Sequence, residues 1–483
     1  MKRGTNFIAG QWRDGADRFE TRSPADRNDV VGEYVNASRA DAEEAVAAAR
    51  KAFGDWAGGN IQKRSDIIRR AGDALLARST EIGTLLAREE GKLLSEGIGE
   101  AVRAAQSFHY YAGEVLRHPG QWLPSVRDGM DVTVSYEPVG VVSLITPWNF
   151  PIAIPAWKTA AALAYGNTVV LKVSEAVPGC GVLLAEILAE AGVPEGVFNL
   201  IVGDGRVMAE PLVKDVDALS FTGSTTVGQI LLQQAAPYMT KVQLELGGKN
   251  PLVVLDDADL DLAIDVALQG AFAQTGQRCT ASSRLIVAEG IHDAFVEGLA
   301  AKVRALRVGH SLDPQSQMGP VATAAQLTRN QGFVQSAKAE GAEALTGQDA
   351  TDWAHEGNYM APVLFAGTHN AMHINREEVF GPVASVIRVA DLDEAIAVAS
   401  DCELALSSGI CTQNLGSAER FRRASPAGMV MINAPTAGVD YHAPFGGRRP
   451  SGYGGREQGT GAAEFFTEMK TTYLNHGVIG LGR

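Results

Sequence analysis

The chain has little cysteine and histidine, and neither residue type is arranged for cross-linking or metal binding. The four cysteines are Cys180, Cys279, Cys402 and Cys411, and no two of them form a C-x-x-C pair. This spacing indicates neither a disulfide framework nor a zinc site, so a reducing compartment, the cytoplasm, is expected. The nine histidines are scattered and lack H-E-x-x-H spacing, so we expect no metal.

Long apolar runs and an excess of basic charge are also missing. Met1–Trp12 holds no apolar run of signal-peptide length, and later apolar stretches such as Val139–Ile145 are interrupted, so no membrane span is predicted. With 42 basic and 56 acidic residues the formal net charge is −14. A nucleic-acid partner is therefore not expected, because phosphate binding needs a basic face.

The composition is that of an ordinary folded protein with more than one domain. Hydrophobic residues make up 46% and charged residues 20% of the 483 residues. This length exceeds one compact core, so two or more domains are expected. The first part is predicted to be helical. Ser38 and Asp41 have capping-box spacing before Ala42–Phe53, and amphipathic segments follow at Ser65–Ala77 and Glu81–Glu90.

From Val139 onward, short apolar runs alternate with helical periods. This alternation predicts an α/β fold with parallel, doubly wound sheets, the usual host of a dinucleotide. A second run begins at Pro251, so two doubly wound α/β domains are expected. The candidate strands are Val139–Ile145, Thr168–Val173, Phe198–Val202, Ala218–Thr222, Val242–Leu246, Leu252–Leu255, Leu285–Ala288, Val383–Val389 and Met429–Ile432. The candidate helices are Gly179–Ala191, Ile291–Leu306 and Leu392–Ala399.

Two further segments are predicted to be extended but to lie outside both sheets. These are Met130–Glu137, in which Val132, Val134 and Tyr136 alternate with polar residues, and Phe465–Leu474. Isolated strands are marginally stable, so the two segments are expected to pair with each other or with another subunit.

A phosphate-binding turn is predicted at Phe221–Gly228, where a strand passes into a helix. Glycine there allows close backbone approach, and the helix N-terminus presents free N–H groups to a pyrophosphate. The segment has one glycine fewer than G-x-G-x-x-G, so a tight turn capped by Ser224 is an equal alternative. The signal at Gly203-Asp204-Gly205 is weaker, because no third glycine follows.

The acid that binds the ribose is ambiguous from the residues alone. The fingerprint expects it about 20 residues after the glycines, which Glu245 satisfies. Glu175, just beyond the strand that ends at Lys172 and Val173, is the competitor. Periodicity does not choose between the two acids.

Cys279 and Asn149 are the candidate reactive side chains. Cys279 lies in a loop between a long helix and a strand, where rigid elements can hold a nucleophile. A thiol needs a base or a cation to ionise, and Arg278 is adjacent; the alternative is an ordinary buried cysteine. Asn149 stands between Pro147 and Pro151, which suit either a rigid site or a simple turn.

Together the motifs resemble the aldehyde dehydrogenase superfamily over nearly the whole chain. They occur in the family's order: Thr146–Pro151, Phe221–Gly228, Leu244–Lys249, Gly276–Ala281, Glu377–Pro382 and Pro444–Gly447. The resemblance implies oxidation of an aldehyde to the acid with NAD(P), through a thiohemiacetal and a thioester on Cys279.

The resemblance also assigns roles to individual residues. It makes Glu245 the general base, and Asn149 with the Cys279 backbone N–H the oxyanion donors. The implied cofactor contacts are Trp148, Lys172, Glu175, Gly223, Ser224, Glu378 and Phe380, with Glu175 and Lys172 at the adenosine ribose. Lys158 receives no role. Glu175 favours NAD because it would repel a 2′-phosphate, although Lys172 leaves NADP open.

Three regions follow from the same resemblance. The cofactor domain would comprise residues 1–119 and 139–247, and the catalytic domain residues 248–450. Residues 120–138 and 462–483 would form a small β extension for oligomerisation. A homodimer or homotetramer is expected.

The substrate is suggested by the runs Gly438–Phe445 and Gly454–Gly459. They look most like family members that act on semialdehydes such as 2-oxoglutarate semialdehyde. Such a carboxylate needs a cation, and Arg103 and Arg278 are the candidates.

An apolar or aromatic aldehyde remains the alternative substrate. Trp157 stands where several semialdehyde enzymes carry arginine, and with Phe150 it is the other candidate substrate contact. A CoA-acylating enzyme is disfavoured by Glu245, and an inactive homologue by the complete set of site residues.

Overall fold

The N-terminal part begins with short strands and continues as helices. The structure, a computed structural model, describes residues 2–4, 6–347, 353 and 355–477. Its first elements are β1 Lys2–Gly4, β2 Asn6–Ile8, β3 Gln11–Arg13, β4 Arg18–Arg22, β5 Val30–Val35, α1 Arg39–Ala57, α2 Ile61–Ala77, α3 Ser79–Glu89 and α4 Leu94–Glu114.

The predicted capping box is confirmed. The Ser38 backbone N–H donates to the Asp41 carboxylate at 2.7 Å, and the Asp41 N–H donates to Ser38 Oγ at 3.2 Å.

The prediction that the first part is helical is wrong before Ser38. Five short strands precede α1, and β2 pairs antiparallel with a strand of the first large sheet through Phe7 and Leu200. Strands β1, β2 and β3 have only three residues each, too few alternations for a period to be read, so their pairing is decided by tertiary contacts. Helix α4 was also not predicted.

The middle of the chain is a run of alternating strands and helices. In order it contains β6 Gln121–Pro124, β7 Met130–Pro138, β8 Val141–Ile145, α5 Ala153–Ala164, β9 Thr168–Val173, α6 Gly179–Glu190, β10 Phe198–Val202, α7 Gly205–Lys214, β11 Ala218–Thr222, α8 Thr225–Ala235 and β12 Lys241–Glu245. The candidate strands of this part are confirmed to within about two residues at each end.

The second run follows directly. It contains β13 Asn250–Val254, α9 Leu260–Phe272, β14 Ser282–Ala288, α10 Glu289–Arg304, α11 Ala324–Ala339, β15 Glu343–Ala344, β16 Val363–Thr368, α12 His373–Arg376, β17 Val383–Val389, α13 Leu392–Ser400, β18 Ser407–Cys411, α14 Leu415–Ala424 and β19 Met429–Ile432. The chain then forms β20 Gly452–Tyr453, α15 Ala462–Phe466 and β21 Thr467–Asn475. Strands β16 and β18 were not predicted.

The first large sheet has a reversal of strand order at its centre. Its eight strands lie in the order β20-β12-β11-β8-β9-β10-β2-β3, and β8 through β12 are parallel. The chain moves from β8 to β9 in one direction and later returns to β11 on the other side. The crevice beyond the carboxyl ends of β8 and β11 is thus a topological switch point, the usual ligand position in such sheets.

The second large sheet has seven strands in the order β15-β16-β17-β14-β13-β18-β19, parallel except at β15. The inner strand β13 is buried on both faces, since its residues Leu252, Val253 and Val254 are all fully buried. Continuous apolar runs of this kind are expected of parallel sheets covered by helices on both sides. The predicted fold class is confirmed.

Besides a small N-terminal sheet in the order β1-β5-β4, a separate three-stranded sheet has the order β21-β7-β6. Strands β21 and β7 pair antiparallel over nine residues, from Thr467 opposite Pro138 to Asn475 opposite Met130. The two extended segments therefore pair with each other, except that Phe465 and Phe466, predicted to be extended, belong to helix α15. Within the described part of the chain, no helix combines the length and apolar character needed to cross a membrane.

Candidate active site

Cys279 lines two neighbouring spaces in the protein. One is a cavity of about 460 Å³, called the wide cavity, and the other is a cleft of about 140 Å³, called the narrow cleft. Glu245 also lines both of them. The candidate nucleophile and one of the two candidate acids thus share the junction of two spaces.

The loop that carries Cys279 is held in a strained backbone conformation. Gln274 and Thr275 have φ of 53° and 57°, which non-glycine residues seldom adopt. The Gln274 N–H donates to the Glu96 carboxylate at 2.9 Å, and the Asn250 side-chain amide donates to the Cys279 carbonyl at 2.8 Å. These contacts come from α4 and β13, so two rigid elements fix the position of the thiol.

The surroundings of Cys279 disfavour its thiolate form. Burial raises the pKa of Cys279 to about 12, and the nearby carboxyl groups of Glu378 and Glu245 add to the effect. Arg278, proposed from the sequence as a cationic neighbour, does not offset this. Its guanidinium donates to the backbone carbonyls of Gln269 and Gly270 instead. Ionisation of Cys279 therefore requires a base.

Glu245 is a buried carboxyl group at the carboxyl end of β12, 3% exposed. Its side chain accepts from the Gly447 N–H at 3.3 Å. Gly446 has φ of 150°, and a Cβ atom there would overlap Glu245 Oε1, so glycine makes room for the carboxyl group. Burial, and next the charge of Glu457, raise the pKa of Glu245 well above its usual range. Such a group can accept a proton near neutral pH.

A buried ion pair lies beside Glu245, and sequence reasoning did not find it. Lys158 pairs with Glu457, and both side chains are almost fully buried. Lys158 also donates to Ser220 Oγ at 2.6 Å, and Trp157 donates its indole N–H to Glu457 at 2.8 Å. About 300 residues separate the partners, so no local pattern indicated the pair. Lys158, which received no role from the sequence, therefore lies close enough to affect Glu245. Its charge lowers the pKa of Glu245, whereas the charge of Glu457 raises that pKa.

Asn149 follows β8 and is 4% exposed. It lines the narrow cleft together with Cys279. Its side-chain Nδ2 donates to the Gln277 carbonyl at 3.1 Å, which leaves the second N–H of the same amide available. The position of Asn149 is compatible with both interpretations of the sequence, a turn residue and a site residue.

The narrow cleft lies at the switch point of the first sheet. Gly223 and Ser224 line it, and Ser224 caps α8 by accepting from the Val227 N–H at 3.4 Å. The alternative prediction, a tight turn capped by Ser224, is therefore also correct, since Ser224 both caps α8 and lines the narrow cleft. The N-terminus of α8 makes the cleft suitable for a phosphate. Trp148 and Phe380 also line it, with their rings edge to face at 5.3 Å.

Glu378 is the acidic group of the narrow cleft. Its carboxylate accepts from the Gly248 N–H at 2.9 Å. Burial raises the pKa of Glu378 to about 7. Phe380, two residues further on, has φ of 60°, which turns this segment toward the cleft.

Lys172 and Glu175 lie at the end of the neighbouring strand β9 and form an ion pair at 2.9 Å. Lys172 is buried, whereas Glu175 is exposed and is not among the residues that line the narrow cleft. The structure thus separates the two candidate acids: Glu245 lies beside Cys279, and Glu175 lies at the surface next to Lys172.

The four candidate substrate contacts, Arg103, Phe150, Trp157 and Arg278, all line the wide cavity. Arg103 donates to the side-chain carbonyl of Gln458 at 2.9 Å. Gln458 was missed from the sequence because it lies 355 residues away. It is 1% exposed and has φ of 60°.

Both cavity arginines lie in an unfavourable environment for a charge. Burial lowers the pKa of the Arg103 and Arg278 guanidinium groups, because desolvation penalises the charged form. Arg278 Nε has no hydrogen-bond partner among the described residues. An anionic group in the wide cavity would offset this penalty.

The chain belongs to the aldehyde dehydrogenase family, whose model matches residues 12–472. An alpha-ketoglutaric semialdehyde dehydrogenase of Bacillus subtilis (strain 168) is 41% identical over 476 residues, covering 97% of each chain. The crystal structure of an NAD-dependent aldehyde dehydrogenase from Sinorhizobium meliloti is similar with a TM-score of 0.96 and 37% identity, over 99% of this chain and 95% of that one.

A betaine aldehyde dehydrogenase from Staphylococcus aureus, crystallised in complex with NAD+, has a TM-score of 0.95 and 32% identity, over 99% of this chain and 96% of that one. The family predicted from the order of the motifs is confirmed, and the protein is an oxidoreductase of that family. Among the described residues, no group of three or more His, Cys, Asp or Glu side chains is arranged to hold a metal ion.

Proposed function

We propose that the protein oxidises a carboxylate-bearing semialdehyde to the acid with NAD. The observation that carries this proposal is the position of Cys279 and Glu245 at the junction of two spaces. One space has a helix N-terminus at a switch point, which suits a dinucleotide. The other has two partly buried guanidinium groups, which suit a carboxylate.

The first step is attack of the Cys279 sulfur on the aldehyde carbon. Because the thiol is protonated, Glu245 accepts its proton as the C–S bond forms. The carbonyl oxygen becomes an oxyanion, and the free N–H of Asn149 with the Cys279 backbone N–H stabilise it. One such donor contributes roughly 3–4 kcal/mol to the transition state.

The cofactor supplies the hydride acceptor when bound. Trp148, Gly223, Ser224, Glu378 and Phe380 would hold it in the narrow cleft. Lys172 and Glu175 would contact the adenosine ribose beyond that cleft. After hydride loss the acyl group remains on Cys279 as a thioester.

Hydrolysis of the thioester releases the acid. Glu245 first releases to solvent the proton that it accepted from the thiol. It then takes a proton from water, the new hydroxyl group bonds to the acyl carbon, the C–S bond breaks, and the departing sulfur takes up the proton from Glu245. Its high pKa suits it to this task near neutral pH, and the Lys158–Glu457 pair sets the charge beside it.

NAD is the proposed cofactor because Glu175 is exposed and acidic. It would accept from a ribose 2′-hydroxyl and repel a 2′-phosphate, whereas Lys172 beside it would attract one. Initial rates with each cofactor at equal concentration test this choice. A strong preference for NADP would overturn it.

The acidic substrate is supported by Arg103 and Arg278 in the wide cavity and by the name of the B. subtilis relative, which is a semialdehyde dehydrogenase. A second candidate, an apolar or aromatic aldehyde, is favoured by one observation. Phe150, Trp157 and Phe445 also line the wide cavity. A panel with 2-oxoglutarate semialdehyde, a straight-chain aldehyde of the same length and benzaldehyde separates the two by kcat/KM.

The mechanism is tested with two substitutions. Cys279→Ala should abolish NADH formation. Glu245→Gln should slow NADH formation, because the thiol loses its base, and should stall after one NADH per subunit, because the thioester is not hydrolysed. Full turnover in either variant would refute the mechanism. Wild-type activity without added CoA would separate hydrolysis from CoA acylation and would exclude an inactive homologue.

We propose three regions and an oligomer. The cofactor domain would comprise residues 1–119 and 139–247, the catalytic domain residues 248–450, and the extension residues 120–138 and 462–483, of which 1, 5, 348–352, 354 and 478–483 lie outside the described residues. A homodimer or homotetramer would form through the β21-β7-β6 sheet, where Trp122, Met469 and Tyr473 are more than half exposed. Light scattering tests the oligomeric state.

The cytoplasm is the proposed compartment, which the free thiols of Cys279, Cys402 and Cys411 support. Cell fractionation with an antibody against the protein tests this proposal.

A further inference from the structure

A second buried ion pair lies near the site, between Lys92 and Glu100. Both side chains are almost fully buried, and Lys92 Nζ donates to Glu100 Oε2 at 2.5 Å. Glu90 adds a second carboxyl group 3.7 Å from the same ammonium. Lys92 lies in the turn before α4, and Glu100 lies on the second turn of that helix.

Both members of this pair contact the segment that carries Asn149. Lys92 Nζ donates to the Asn149 backbone carbonyl at 2.8 Å. The other oxygen of Glu100 accepts from the N–H groups of Ile152 and Ala153, each at 3.0 Å. The pair therefore holds residues 149–153 at both ends.

The contacts of Glu100 replace a missing helix cap. Helix α5 begins at Ala153, and its N-cap residue Ile152 has no side chain that can accept a hydrogen bond. Glu100 satisfies two N–H groups there from a different helix, with a charge that suits a helix N-terminus. The start of α5, and with it the end of the Asn149 loop, is thereby attached to α4.

The same helix also holds the loop of the nucleophile. Glu96, one turn before Glu100 on α4, accepts from the Gln274 N–H at 2.9 Å. One face of α4 thus contacts both the loop of Asn149 and the loop of Cys279. A fixed distance between these loops is what an oxyanion site requires, because the donors must face the position where charge develops.

Stability alone does not account for a buried pair of this kind. Replacing buried ion pairs by apolar residues of similar volume is often neutral or stabilising, because both charges lose their hydration. The Lys92–Glu100 pair differs from a simple core contact. Apart from the Glu90 carboxyl group near Lys92, its remaining side-chain hydrogen bonds go to backbone groups of one short segment.

We propose that Lys92 and Glu100 are positioning residues that orient Asn149 toward the oxyanion. This inference rests on the proposed function, in which Asn149 donates to the oxyanion formed on Cys279. Lys92 acts through the Asn149 carbonyl, and Glu100 acts through the amides of Ile152 and Ala153. Neither residue transfers a proton or contacts the reacting carbon.

Two reactions of the same thiol separate positioning from general structural damage. Acylation of Cys279 by p-nitrophenyl acetate passes through a tetrahedral oxyanion and releases nitrophenolate. Alkylation of Cys279 by iodoacetamide displaces iodide at a saturated carbon and forms no oxyanion. Each reagent is used on the cofactor-free protein, and mass spectrometry of the Cys279 peptide reports the alkylation.

Lys92→Met should slow acylation by about 10- to 100-fold, since a small misplacement of a catalytic group costs up to that factor. Alkylation should change by less than about twofold. Asn149→Ala, the reference for the complete loss of the donor, should show the same pattern at about 100- to 1,000-fold. Lys92→Arg, which keeps the charge and a donor, should recover part of the acylation rate.

A matched control is Arg64→Met. Arg64 is also a buried cation that donates to backbone carbonyls, and one of them, Ala164, lies at the opposite end of α5. Its loss should leave the ratio of acylation to alkylation unchanged. If Lys92→Met does not fold, the double variant Lys92→Met/Glu100→Gln removes both charges together and should show the same selective defect.

The outcomes distinguish the inference from the function on which it rests. Wild-type protein that neither acylates with the ester nor reduces NAD with any aldehyde would refute the proposed function. Active wild type, an impaired Asn149→Ala variant and a Lys92→Met ratio equal to wild type would refute the positioning role alone. Equal losses in acylation and alkylation in Lys92→Met would also refute it, because they indicate general damage.

Discussion

Trp157 donates its indole N–H to Glu457 at 2.8 Å, and this bond connects the wall of the wide cavity to the ion pair beside Glu245. Trp157 precedes Lys158, so two consecutive residues of α5 bind the same carboxylate. From the sequence, Trp157 was a candidate substrate contact. Its indole N–H holds Glu457, and its ring, which lines the cavity, lies 6.1 Å from that of Phe445, another lining residue.

Trp157→Phe should therefore destabilise the protein beyond the loss of packing. The substitution leaves a buried carboxylate oxygen of Glu457 without its hydrogen-bond donor, which costs about 1–3 kcal/mol of folding stability. The matched control is Trp56→Phe, because the Trp56 indole is buried and has no hydrogen-bond partner among the described residues. Urea unfolding of both variants measures the difference. Equal midpoints would show that the Glu457 bond contributes nothing.

The rate of thioester hydrolysis should rise with pH and respond in opposite directions to two substitutions. Glu245 must be ionised to activate water, and its raised pKa delays ionisation. Glu457→Gln removes a charge that raises the pKa of Glu245, so the increase of the hydrolysis rate should occur at lower pH. Lys158→Met removes a charge that lowers the pKa of Glu245, so the increase of the hydrolysis rate should occur at higher pH. Single-turnover decay of the acyl-enzyme across pH 5–9 measures both, and shifts in the same direction would contradict the assignment.

Arg103 and Gln458 should determine the preference for an acidic substrate. Arg103→Met should lower kcat/KM for 2-oxoglutarate semialdehyde by about 10- to 100-fold, the range of a lost charge-assisted hydrogen bond. Gln458→Leu should lower the same kcat/KM by a smaller factor. It removes the hydrogen-bond acceptor of the Arg103 guanidinium but leaves the guanidinium itself in the cavity. A straight-chain aldehyde of equal length is the control and should change little. Equal losses for both aldehydes would indicate that these residues only support the fold.

Cys279 should react slowly with iodoacetamide at neutral pH when no cofactor is bound. Its pKa is raised to about 12, so the thiolate fraction should still increase about tenfold per pH unit between pH 7 and 9. Mass spectrometry locates the label, with Cys279→Ala as the blank. A rate that is already constant above pH 7 would show that the thiol is ionised.

The strands of the parallel sheets were predicted well because burial on both faces makes them apolar throughout. Thr168–Val173 and Val383–Val389 agree with the structure residue for residue. The N-terminal strands were missed, since Asn6–Ile8 is too short to show a period. Strand Ser407–Cys411 was missed because its two serines and glycine conceal a strand that is nonetheless fully buried.

The candidate site was predicted only where its residues are neighbours in sequence. Asn149, Cys279 and the turn at Gly223 stand in local motifs, and the structure brings all three to the narrow cleft. Lys92, Glu457 and Gln458 carry no local signal, because each acts on a partner at least 57 residues away. Contacts of this kind exist only once the helices have packed.

The sequence by itself determined the family, the order of strands and helices, and the presence of one cysteine in a loop between rigid elements. From the residues alone it left two acids, Glu175 and Glu245, equally suited to the ribose. The tertiary structure separated them, because the reversal of strand order at β8 puts β11 and β12 on one side and β9 on the other. The parallel register then sets Glu245 opposite Thr222, beside Cys279, and leaves Glu175 at the surface. Register and strand order depend on contacts between distant segments, and no local pattern of residues contains them.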